Sequence, residues 1–127
     1  MIKTKIVSTG ACVPDQVITN DDLAKIVDTS DEWIVQRTGI RERRISSGDN
    51  TSALAVGTAR MVLERAKVKP EDVDLIIVAS VTPDYGTPSL ACMVQKELGA
   101  VRAVAFDVVA ACSGFLFGLS VADKYIR

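Results

Sequence analysis

Two apolar stretches stand out along the chain. Leu75-Ile76-Ile77-Val78-Ala79 lies within 73–81, and a second run extends from Ala103 to Val109. The first shows no alternation, which predicts a strand covered on both faces, as in a sheet flanked by helices. Around these runs apolar residues recur at helical spacing. Leu54, Ala55, Ala59, Val62, Leu63 and Ala66 predict a core helix, capped by Asp49 or Thr51 and running to about Lys67. Gly57 and Ala59 on it would let another element approach closely. Leu90, Met93, Val94 and Leu98 predict a helix begun at Thr87 or Ser89, with Pro88 near its first turn and Gly99 as its stop. Cys92 inside it reads as packing. Phe115, Leu116, Leu119, Ala122 and Tyr125 predict a last helix directly after the second run.

The first third reads differently. Residues 3–13 predict a strand ending at Pro14, with Cys12 as packing. Residues 15–18 form a turn and a short extended piece. Thr19 and Asp22 are spaced as a capping box that opens a helix with an apolar edge of Leu23, Ile26 and Val27. Thr29 and Glu32 repeat that spacing before a second, short helix that carries Trp33 and stops at Gly39. Alternation over 40–45 predicts a partly exposed strand with Arg41, Arg43 and Arg44. Residues 46–50 and 82–88 are loops, the latter placed after a buried strand where α/β proteins put binding segments. The order of elements predicts an α/β fold with a largely buried sheet.

Composition narrows the function. The length of 127 residues allows one domain with a core, and a formal net charge of −1 advertises no nucleic-acid partner. The sequence holds no apolar run of transmembrane length and no secretory leader pattern, so no membrane association and a cytoplasmic location are expected. Cys12, Cys92 and Cys112 are odd in number and widely spaced, which fits neither a disulfide framework nor a metal site.

The chemistry concentrates at Phe106-Asp107-Val108-Val109-Ala110-Ala111-Cys112-Ser113-Gly114-Phe115. Cys112 falls where a strand turns into a helix, among small residues that let a substrate approach. A sharp turn exposes a nucleophile, and a helix start favours thiolate over thiol. Against this, most free cysteines only fill space. The chain has no histidine, the usual partner of a cysteine nucleophile. Its last helix also reaches Arg127 without a stop signal, so the rest of a site is expected on further polypeptide. Trp33 and Arg37, four apart, share a helix face. An aromatic plane beside a guanidinium suits a nucleotide, and a core anchor beside a solvated arginine suits the same spacing.

Residues 28–43, Asp28-Thr29-Ser30-Asp31-Glu32-Trp33-Ile34-Val35-Gln36-Arg37-Thr38-Gly39-Ile40-Arg41-Glu42-Arg43, together with 105–115, resemble the 3-oxoacyl-(acyl-carrier-protein) synthase III family. These are the initiating condensing enzymes of type II fatty-acid synthesis. The likeness runs from Thr4 to the last residue. It implies a thiolase-like fold of two similar halves in five αβαβα layers, with residues 1–127 as the N-terminal half-domain, a mixed sheet flanked by helices. It implies that Cys112 takes the acyl group from acyl-CoA, and that malonyl-acyl-carrier-protein then decarboxylates and condenses with it. Thr29, Trp33 and Arg37 match residues that hold the CoA nucleotide. Thr87 matches a position, often phenylalanine, that closes the acyl pocket across a homodimer, and threonine there implies a longer or branched primer. CoA and the acyl carrier protein enter as substrates and partners, with no further cofactor. The family's catalytic histidine and asparagine lie in the other half, so the chain alone is expected to be inactive. The alternative is a non-catalytic half-domain that serves only assembly or packing.

Overall fold

A computed structural model describes residues 3–127. The chain forms two compact units, one of residues 13–49 and one of Asn50–Arg127 with the preceding stretch up to Cys12.

The smaller unit is built on a hairpin. Strand β1 (Gln16–Thr19) pairs antiparallel with β2 (Glu42–Ile45), Thr19 opposite Glu42 and Gln16 opposite Ile45. Helix α1 (Asn20–Ala24) follows β1 directly. Its Thr19–Asp22 capping box is complete: each side chain bonds the other residue's backbone N–H. The helix ends before Ile26 and Val27, which are exposed, so the apolar edge expected there does not form. Helix α2 (Asp31–Thr38) ends at Gly39, whose left-handed φ of 72° only glycine adopts freely. Its N-cap is Ser30, not Thr29: Ser30 holds the extended conformation, and its hydroxyl accepts from the Trp33 N–H at 3.1 Å.

The larger unit carries helix α3 (Thr51–Ala66), strand β3 (Leu75–Ala79), helix α4 (Leu90–Leu98), strand β4 (Val104–Val108) and helix α5 (Gly114–Ile126). β3 and β4 pair in parallel, Leu75 with Val104 through to Ala79 with Val108. The fold class is α/β as expected, with the strands divided between an antiparallel and a parallel pair. The core lies where α3, α4 and β4 meet, at Val56, Leu90, Ala91, Val94, Ala100 and Ala103. Burying Leu90 alone contributes about 1.5–3 kcal/mol. Two strands offer α4 and α5 little surface to cover, so most of β3 and β4 is half-buried where full burial was expected.

Residues 3–14 form no regular element and belong to no sheet, contrary to the strand expected there. Apolar spacing suits a strand, but a ladder needs a partner, and among the described residues β3 and β4 pair only with each other. The segment is held by side chains instead. Arg65 donates to the Thr9 carbonyl at 2.9 Å and the Thr4 hydroxyl to Asp123 at 2.6 Å. The Cys12 sulfur fills the space beside Gly57, 2.8 Å from where a Cβ would stand. The close approach expected at Gly57 is therefore made by Cys12, whose role is packing.

Candidate active site

Parallel pairing sends β3 and β4 out at the same edge. β3 runs into the loop of residues 80–89, which holds Thr87. β4 runs into Val109, Ala110 and a single 3-10 turn, Ala111–Ser113, that continues as α5. Cys112 is the middle residue of that turn and is exposed. Ala111 before it sits at φ 45°, a left-handed conformation that costs a non-glycine residue roughly 1–2 kcal/mol. Ser113 and Gly114 close the turn by donating to the Ala110 and Ala111 carbonyls. Gly114 is buried because the start of α5 lies on the sheet: a Cβ there would stand 3.2 Å from that of Ala79 and 3.8 Å from the Val108 carbonyl oxygen. Cys92, by contrast, is half-buried in α4, with its thiol on the Ala105 carbonyl at 3.6 Å.

Two carboxylates outside α3 and α4 fix the starts of these helices. Neither Asp49 nor Thr51 caps α3. Asn50 occupies the cap position without a side-chain bond. Asp84, from the loop after β3, accepts instead from the Thr51 and Ser52 N–H groups at 2.8 and 3.1 Å. Hydrogen bonding from the Ser52 side chain, then from these N–H groups, holds its carboxyl below the usual carboxylate range. Asp107, inside β4, accepts from the Leu90 and Ala91 N–H groups, both at 2.7 Å. Ser89 is the N-cap of α4, accepting from Cys92 N at 3.2 Å. The loop bearing Thr87, which is exposed, is thus held at Asp84 and again where α4 begins. Spacing within the sequence does not reveal these contacts. The available signal was a charged residue between Phe106 and Val108, since a carboxylate inside an apolar run must find donors.

In the smaller unit, the Arg37 guanidinium lies over the Trp33 ring, 4.4 Å from its centroid. Trp33 is 52% exposed and α2 has no buried residue, so the indole does not anchor the helix in a core. Thr29 is half-buried just before the cap. Two of the three arginines around β2 are bonded within the smaller unit, Arg43 to the Ile18 carbonyl and the side-chain amide oxygen of Asn20, and Arg44 to the Pro14 and Asp15 carbonyls. Arg41 approaches Asp31 at 4.0 Å. Among the described residues no helix is long and apolar enough to cross a membrane.

No protein-family model matches the chain. Individual proteins do. It is 53% identical over all 127 residues to the beta-ketoacyl-(acyl-carrier-protein) synthase III of Clostridium novyi and 56% identical to that of Streptococcus mutans, spanning 39% of each. The solved 3-oxoacyl-(acyl-carrier-protein) synthase III of Aquifex aeolicus matches 98% of this chain and 40% of its own, with 51% identity and a TM-score of 0.94. The priming beta-ketosynthase of the R1128 polyketide pathway matches 94% of this chain and 36% of its own, with 38% identity and a TM-score of 0.90. The fold is that of the thiolase-like condensing enzymes. Within that class the sequence is similar over its whole length to beta-ketoacyl-(acyl-carrier-protein) synthase III enzymes, and the chain spans about two fifths of the relatives it matches.

Proposed function

We propose that this chain carries the acyl-accepting cysteine and the CoA-nucleotide contacts of a synthase that starts fatty-acid synthesis in the cytoplasm. The Cys112 thiolate attacks the thioester carbonyl of acyl-CoA. The carbonyl oxygen takes the negative charge, the bond from carbon to the CoA sulfur breaks, and CoA leaves as a thiolate that picks up a proton. The acyl group is now a thioester on Cys112. Malonyl-acyl-carrier-protein then loses carbon dioxide, and the resulting carbanion attacks that thioester. The carbon–sulfur bond to Cys112 breaks, leaving a 3-oxoacyl chain on the carrier protein. One difficult exchange becomes two easier ones.

The observation that carries this reading is the placement of Cys112: exposed, in a strained turn, at the first residues of a helix resting on a parallel strand pair. The N–H groups of Ser113 and Gly114 close the turn, whereas no described residue outside the helix accepts from Cys112 N–H, which supports its use for the thioester oxyanion. Trp33 and Arg37 stand as a stacked pair, a ring that suits an adenine and a cation that suits a phosphate, with Thr29 just before the same helix. Thr87 replaces a bulkier closing side chain, which favours a longer or branched acyl group. In the complete enzyme the partners are a second copy and the acyl carrier protein. Full condensation is not a property of this chain alone, because it has no histidine to stabilise the carbanion. The test is release of CoA thiol on mixing acyl-CoA with the purified chain. One equivalent per chain is expected, and none from Cys112→Ser. Equal release from the two would remove Cys112 from the reaction.

A further inference from the structure

Asn20 is the buried polar side chain of the described residues, 1% exposed, and both ends of its amide are bonded. Nδ2 donates to Asp31 Oδ1 at 2.7 Å and to the Ile40 carbonyl at 2.8 Å. Oδ1 accepts from Arg43 Nη2 at 2.6 Å. The Asn20 N–H donates to the Arg41 carbonyl at 3.2 Å, one step beyond the β1–β2 ladder. Two of these partners bracket α2. Asp31 is its first residue, and Ile40 follows the glycine that ends it. One amide therefore grips both ends of the helix and is itself fixed to the hairpin.

The grip matters because packing holds α2 only in part: Ile34 and Val35 are half-buried, and the helix meets α1 of the same unit. Eight residues are too few for a helix to be stable by itself in water. No residue of α2 is fully buried, so core packing alone does not set its position. Its outward face nevertheless holds Trp33 and Arg37 as a stacked pair. A ring that stacks on a base must be held at a defined angle, and a cation that meets phosphate must be held at a defined distance. We infer that Asn20 is a positioning residue for the nucleotide part of CoA: by tying both ends of α2 to the hairpin, it sets the plane of Trp33 and the reach of Arg37. Removing the amide would also leave Asp31, the Ile40 carbonyl and Arg43 without their inner partners. The inference rests on the reading that Trp33 and Arg37 take the CoA nucleotide.

Trp33 is the only tryptophan, so its fluorescence reports that site. The probe is adenosine 3′,5′-bisphosphate, the nucleotide portion of CoA without its thiol. It is expected to quench Trp33 in the parent chain. In Asn20→Ala, checked as folded by circular dichroism, the dissociation constant should rise on the order of tenfold, the scale of one or two lost hydrogen bonds. Asp31→Ala, which cuts one tether and leaves Asn20 in place, should weaken binding less. Glu32→Ala takes an acidic residue from the same first turn without cutting a tether, and should bind like the parent. A folded Asn20→Ala with parental affinity would overturn the inference. If Asn20→Ala does not fold, Asp31→Ala decides, and equality with Glu32→Ala overturns it. A parent chain that the probe does not quench would instead overturn the nucleotide reading itself.

Discussion

At the scale of single residues, the site depends on where one small side chain is missing. Gly114 lets the start of α5 rest on Ala79 and Val108, and the turn bearing Cys112 is continuous with that start. An alanine at a helical position would ordinarily stabilise by up to about 1 kcal/mol. Here its Cβ would come within 3.2 Å of the Ala79 Cβ, which is part of a strand and has no rotamer to change. Gly114→Ala is therefore expected to destabilise by about 1 kcal/mol, the low end of overpacking, and to slow reaction of Cys112 with acyl-CoA. Chemical denaturation and the rate of CoA release check both. Unchanged stability would mean that helix and sheet separate freely. The sequence showed Cys112 and its small neighbours, because a cluster of small residues between an apolar run and a helical stripe has few other uses. It did not show Asn20, whose importance comes from contacts with Asp31, Ile40 and Arg43, between 11 and 23 residues away.

At the scale of elements, the helices and the parallel strands were legible because each carries its own period or run. Local stops were legible too: Gly39 and Gly99 both sit at φ 72°. Caps made from a distance were not. α3 begins with Thr51 and Ser52, yet its acceptor is Asp84, about 30 residues on. The first segment failed as a strand for a related reason, since apolar spacing says nothing about whether a partner strand is present. The Asp84 cap makes a prediction about pH. Its carboxyl is depressed in the folded chain, so its contribution is complete above the ordinary carboxylate value, about 3.9, and is lost as pH falls through the lower folded value. Asp84→Asn should lower the melting temperature at neutral pH and narrow its gap to the parent as pH falls below about 4. Thermal melts across that range measure it. A gap that stays constant down to low pH would show that the carboxylate is not what holds α3.

At the scale of the whole molecule, the larger unit leaves a substantial apolar face open. Phe115 is 68% and Leu116 66% exposed, and Phe117, Leu119, Tyr125 and Ile126 continue the exposure along α5. A groove of ≈ 740 Å³ beside it is lined by Leu75, Ile77, Phe115, Leu119 and Tyr125 among others. Apolar surface of this kind drives association. The purified chain is expected to self-associate at micromolar concentration, and sedimentation velocity measures this. A monodisperse monomer would contradict it. The claim on which the functional account rests is that one sulfur of three accepts an acyl group. Peptide mass mapping of the chain after incubation with acyl-CoA tests this most directly. The account predicts the acyl mass on the peptide containing Cys112, removable by hydroxylamine, and none on those containing Cys12 or Cys92. An unmodified Cys112, or acyl groups spread evenly over the three cysteines, would contradict it.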